Sequence, residues 1–153
     1  VRYRKGSPVI EIRSARPEDR DIWRDLWTQY LVFYEATVSE DVYSTTWNRI
    51  FIDRPDEPSC LLAWDGKEAA GLVHYFFHRH TWKVEKVCYL QDLFTTAAAR
   101  GKGVGRALIE AVYEKADAEK APTVYWTTQH FNETARRLYD DVGTLTPVIK
   151  YQR

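Results

Sequence analysis

Methionine is absent from the 153-residue chain, and cysteine occurs only at Cys60 and Cys88. Two cysteines cannot make a disulfide scaffold, so packing must hold the core, and a reducing cytosol is the simpler compartment. Net charge is missing too: 22 Lys and Arg offset 22 Asp and Glu, and the pI is near 7.1. A strongly basic nucleic-acid binder is thereby excluded, and no nucleic-acid partner is expected. No apolar run approaches the ~18 residues of a membrane span, so no membrane partner is expected either. No charged-then-apolar leader opens the chain, which points to a cytoplasmic protein. No period of ~20–50 residues repeats, which removes solenoids. Rings, by contrast, are plentiful: 14% of residues are Phe, Trp or Tyr. That load implies a bulky core, an apolar pocket or a subunit interface. With 44% hydrophobic and 29% charged residues the chain is not disordered. Its length fits one domain, 1–153, with 1–8 as a flexible N-terminal extension.

Apolar spacing predicts the elements. Residues 8–13 alternate as a first strand. Ile22, Trp23, Leu26, Trp27, Tyr30, Leu31 and Tyr34 recur at helical spacing, so a helix is expected over 17–35, with Pro17 and acids in its first turn. Ser39 caps a second helix striped by Tyr43, Trp47, Ile50 and Phe51. Strands over 59–64, 68–78 and 86–94 form an antiparallel meander, the first two joined by an Asp65-Gly66 turn. A helix over 103–119, a strand over 124–127, a helix over 132–141 and a last strand over 147–151 complete the order β-α-α-β-β-β-α-β-α-β. This is an α/β sandwich, a mixed sheet with helices on both faces.

The most informative stretch is Arg100-Gly101-Lys102-Gly103-Val104-Gly105-Arg106, between a strand and an amphipathic helix. Glycines there let successive N–H groups turn toward one point, and the helix dipole adds positive potential. The segment reads as an anion cradle rimmed by three mobile bases. A Walker loop fails because Gly103 follows Lys102, and a Rossmann turn fails at Arg106. Downstream, Asn132 starts a helix and Tyr139 lies two turns along it, on the same face. Amide and phenol thus share the cleft side of the glycine loop.

Those two segments resemble the GNAT superfamily of acetyl-CoA-dependent N-acetyltransferases. Its Arg/Gln-x-x-Gly-x-Gly/Ala motif is met by Arg100 to Gly105, and its Asn-x-x-Ala-x-x-Leu-Tyr motif by Asn132, Ala135, Leu138 and Tyr139. Tyr89-Leu90-Gln91-Asp92-Leu93-Phe94 is similar to a strand of spermidine/spermine acetyltransferases. Val124-Tyr125-Trp126-Thr127 and Pro147-Val148-Ile149-Lys150-Tyr151 resemble yeast acetyltransferases of the histone, polyamine and D-amino-acid type. The resemblance implies a three-layer sandwich whose mostly antiparallel sheet splays at a cofactor cleft. It implies that main-chain groups of Leu93, Phe94 and Thr95 hold the pantetheine of acetyl-CoA. The diphosphate lies on 100–106, and Asn132, Ala135 and Tyr139 line the arm.

The implied reaction moves acetyl to an amine, with Tyr139 as acid and main-chain N–H groups near Leu93 and Phe94 facing the carbonyl oxygen. Polyamine enzymes carry Glu-Asp where this chain has Gln91-Asp92. Gln91 cannot take a proton, and strand alternation puts Asp92 on the other face, with Cys88. Only a bulge would bring Asp92 round, so it stands equally as base or as structural residue. His74, His78 and His80 share one parity, and His74 is expected opposite Gln91 as base or relay. His78 and His80 have no third ligand beside them, so no metal is expected. The acceptor is a small amine, amino acid, polyamine or lysine side chain, met by Trp82, His74, Tyr34 and Glu35. The alternative is a CoA-binding sensor or scaffold with little turnover. The last strand and the rings suggest a homodimer.

Overall fold

The computed structural model describes residues 9–153, so the expected extension at 1–8 lies outside the described residues. Nine elements follow in order: β1 Ile10–Ser14, α1 Arg20–Phe33, α2 Glu40–Ile50, β2 Ser59–Asp65, β3 Glu68–His78, β4 Val87–Thr95, α3 Val104–Ala118, β5 Val124–Tyr125 and α4 Glu133–Val142. The sheet runs β1-β2-β3-β4-β5, antiparallel as far as β4 and parallel between β4 and β5. This is the expected mixed, mostly antiparallel sheet between two helical layers.

Two apolar clusters occupy its faces. On one, α1 and α2 bury Trp23, Leu26, Trp27, Tyr43 and Trp47 on Cys60, Leu62, Leu72 and Phe94. On the other, α3 buries Val104, Leu108, Ile109, Val112 and Ala116 on Val73, Tyr75, Phe77, Cys88 and Leu90. Each large aliphatic chain so buried contributes roughly 1.5–3 kcal/mol. Gly71 sets how closely α3 approaches. A Cβ there would collide with the Phe94 carbonyl oxygen and stand 3.1 Å from Val104 Cγ1. Ser39 caps α2 as expected, its Oγ accepting from the Val42 N–H at 3.3 Å.

Three expectations change. The first helix begins at Arg20 rather than 17, because Pro17–Asp19 forms a 3-10 turn. There the Asp19 carboxylate turns inward to accept from the Arg13 guanidinium at 2.6 and 3.0 Å and from the Arg16 N–H at 2.8 Å. The strand expected over 124–127 shortens to Val124–Tyr125. The final strand expected over 147–151 does not form: Val148, Ile149 and Tyr151 are 81%, 71% and 87% exposed. A strand needs a partner ladder, and β5 pairs only two residues.

Candidate active site

The site is made by two irregularities in the sheet. β4 and β5 pair at Cys88↔Val124 and Tyr89↔Tyr125, and beyond Tyr89 β4 continues to Thr95 without that neighbour. The strands part there, leaving a stretch of β4 edge whose polar groups are free to meet an extended ligand. Just past the parting point, the β3–β4 register shifts. His74 pairs with Asp92 but Tyr75 pairs with Leu90, so Gln91 is the extra residue of a bulge.

That bulge decides which carboxylate faces the cleft. Regular alternation would leave Asp92 on the Cys88 and Leu90 side, against α3. With Gln91 inserted, Cys88 and Leu90 stay in the α3 cluster while Asp92 turns to the α1 face. His74 therefore sits opposite Asp92 rather than Gln91, and the shared parity of Cys88 and Asp92 is lost. The expected histidine row also shortens, since β3 ends at His78 and His80 lies beyond it.

Asp92 is held from several sides. His74, 3% exposed, places Nδ1 2.9 Å from Asp92 Oδ2, and its Nε2 accepts from Trp23 Nε1 at 2.8 Å. Tyr30 of α1 faces the same carboxylate. Burial, reinforced by the Asp92 charge, pushes its phenol pKa well above the usual range. Tyr34, which caps α1, is raised by burial and by Asp92, opposed by a hydrogen bond with Asn132. Tyr139 on α4 is pushed up to about 12, by burial first and by neighbouring Tyr34 second. Its ring stands edge-on to Trp126 at 5.5 Å. Asp92, Tyr30, Tyr34, Asn132 and Tyr139 thus form one group drawn from α1, β4 and α4. Asn132 starts α4, as expected, but its side chain does not cap it; Nδ2 donates to Thr128 Oγ1 at 3.4 Å.

Not all the expected residues join this group. Gln91 is exposed at the bulge, Glu35 is exposed just past α1 with φ 55°, and Trp82 is 89% exposed beside His80. Trp23 and Tyr30 join the site beyond the residues expected from the sequence. Their helical spacing reads as core, and only their polar-tipped rings distinguish them. Cys60 and Cys88 are buried, and burial raises both thiols, Cys88 to about 12, so neither is a ready nucleophile.

The loop before α3 has the shape of an anion cradle. Gly101 and Gly103 hold φ of 79° and 81°, a region that L side chains rarely enter, and Gly103 is the N-cap of α3. Its first-turn N–H groups are the orphan donors of a helix N-terminus. Gly105 lets α4 close on the loop: a Cβ would meet Leu138 Cδ2 at 3.1 Å. Two of the three rim bases are engaged rather than mobile. Lys102 pairs with Asp65 at 2.7 Å and Arg106 with Asp141 at 3.1 Å.

A mixed sheet that opens beside a glycine-cradled helix N-terminus, with a carboxylate and a phenol at the opening, defines an acyltransferase of the GNAT type. The acetyltransferase (GNAT) family profile matches residues 20–143, and the chain belongs to that family. It is 40% identical over 146 residues to the D-amino-acid N-acetyltransferase HPA3 of Saccharomyces cerevisiae, covering 94% of this chain and 90% of that protein. It is 27% identical over 111 residues to the thialysine N-epsilon-acetyltransferase of Bos taurus, covering 72% of this chain and 55% of that one. Its fold matches the solved structure of AAC(6')-Iy in complex with a bisubstrate CoA analogue, with a TM-score of 0.79 at 18% identity over 95% and 98% of the chains. The protein is a GNAT-family N-acetyltransferase acting on amines. No helix among the described residues is long and apolar enough to cross a membrane.

Proposed function

We propose that the protein moves acetyl from acetyl-CoA directly to the primary amine of a small acceptor with a single ammonium, with Asp92 as base and Tyr139 as proton donor. The observation that carries this reading is the Gln91 bulge, which puts a carboxylate on the α1 face just where β4 and β5 part. When bound, acetyl-CoA supplies an activated acyl thioester. The residues that would hold it are main-chain groups of Leu93, Phe94 and Thr95, the loop Arg100, Gly101, Lys102, Gly103, Val104, Gly105 and Arg106, and Asn132, Ala135 and Tyr139 of the α4 side. The left-handed glycines and the unpaired β4 edge fit such a ligand.

An alkyl ammonium has a pKa near ~10.4 and must lose a proton before it attacks. Asp92 can receive that proton directly or through water. Tyr30, Tyr34 and Tyr139 stay neutral at pH 7, because burial raises all three phenols. The pocket therefore offers one negative charge among hydroxyls, which suits a single ammonium better than a polycation. An α-amino acid is the leading class, supported by the activity in the yeast relative's name. A CoA-binding module without turnover is disfavoured, because Asp92 supplies the carboxylate that Gln91 lacks. We take 1–153 as one N-acetyltransferase domain. A cytoplasmic location is in keeping with two buried, unpaired cysteines. We take the protein to be a homodimer joined through the exposed Leu145, Val148, Ile149 and Tyr151, with sedimentation equilibrium reading the mass.

The test is thiol release from acetyl-CoA with a panel of D- and L-amino acids, monoamines and polyamines. Asp92→Asn should lower kcat/KM by roughly 10²–10⁴-fold for the best acceptor and leave CoA affinity intact. Full turnover in the variant removes Asp92 as base.

A further inference from the structure

We infer that Trp23 and His74 are positioning residues that act through Asp92: the indole fixes one imidazole tautomer, and that tautomer keeps the carboxylate oriented and outside an ion pair. The inference rests on Asp92 being the base. It also changes the role foreseen for His74, which becomes neither base nor relay.

The argument starts from donor chemistry. An indole N–H can only donate. Trp23 Nε1 lies 2.8 Å from His74 Nε2, so Nε2 must accept and cannot hold a proton. The one proton of a neutral imidazole then sits on Nδ1, 2.9 Å from Asp92 Oδ2, where it is donated. Protonating His74 would set one N–H against another in a site that is 3% exposed. The ring is also boxed in: Trp27 stands edge-on at 5.5 Å and Trp23 at 6.1 Å. Both nitrogens are committed, so His74 cannot take the acceptor's proton.

The consequence falls on Asp92. A neutral donor orients a carboxylate, whereas an imidazolium would bind it as an ion pair and lower its basicity. The other titratable groups facing this pair are Cys60 on β2, opposite His74 in register, Tyr30 on α1, Tyr34 at its cap, and Tyr89 on β4 beside Tyr30. Burial raises the Cys60 thiol and the Tyr30 and Tyr34 phenols, so these three carry no charge that would draw a proton onto His74 near neutral pH. Asp19 lies further off, felt at Cys60, and is already paired with Arg13. Tyr43 of α2 touches Trp23 and Trp27 with its ring.

The experiment combines nitrogen NMR of 15N-histidine-labelled protein with pH–rate profiles. Wild-type His74 should show the Nδ1–H tautomer at pH 7. In Trp23→Phe the Nε2 lone pair is freed. The single tautomer should then be lost, and kcat/KM should gain an acid limb that wild type lacks, falling about 10-fold along it. Because Trp23→Phe opens the core, His74→Asn and His74→Gln give a second reading. The Asn amide nitrogen takes the place of Nδ1 and should retain most of kcat; the Gln nitrogen takes the place of Nε2 and should not. A wild-type imidazolium, an Nε2–H tautomer, or better function in Gln than in Asn overturns the inference. If Asp92→Asn keeps its activity while the Nδ1–H tautomer is seen, the reading of Asp92 as base has failed and the tautomer lock has not.

Discussion

Replacing Gly103 by valine separates the binding role proposed for the glycine loop from its folding role. Gly103 has φ 81°, and a Cβ built on it meets nothing within 4 Å. A β-carbon therefore meets no packing barrier, and the main cost is backbone strain, roughly 1–2 kcal/mol for a left-handed L-residue. In a chain of this length that lowers Tm by about 2–8 °C and leaves the protein folded at room temperature. The loop should relieve the strain by rotating its peptides, which would turn aligned N–H groups away from the place proposed for the diphosphate. Losing one hydrogen bond to a charged group costs about 1.5–3 kcal/mol, a loss of roughly 10- to 150-fold in affinity, and more than one donor is at stake. Isothermal titration with CoA reads the affinity, and calorimetric unfolding reads Tm on the same sample. A variant whose Tm falls as expected while its CoA Kd stays within about threefold of wild type would refute the cradle.

Two further perturbations test other links. Tyr139→Phe should reduce kcat roughly 10²-fold with little change in CoA affinity; the effect is bounded because burial keeps the phenol loaded with its proton but makes it a weaker acid. Unaltered kcat excludes it as donor. The second concerns Asp19, whose folded pKa is depressed chiefly by its hydrogen bond from Arg13. A depressed carboxylate stabilises fully above its unfolded value near ~3.9, and that stability is lost as pH falls through the folded value. Asp19→Asn should therefore cost about 2 kcal/mol at pH 7, and the gap to wild type should close in acid. A gap that stays constant from pH 7 to pH 2, in thermal melts, is inconsistent with this linkage.

Local rules already determine much of this molecule. The alternation in β2, β3 and β4, the stripes of α1 and α3, the Ser39 cap and the glycine pair before α3 are each legible within a few residues, because each answers to spacing or to φ alone. The same holds for Asn132 and Tyr139, which lie two helical turns apart. Tertiary structure decided what depends on a partner. Residues 147–151 have β-branched and aromatic side chains suited to a strand, yet among the described residues no strand beside them supplies a ladder. The face of Asp92 depends on where β3 and β4 slip register, and a single extra residue in either strand looks the same as none until the two are paired. Trp23 and Tyr30 read as core because helical spacing reports that a residue is buried and not what it meets. His74 lies 51 positions from the indole that sets its proton, a contact that only the closed sheet and its covering helix bring about.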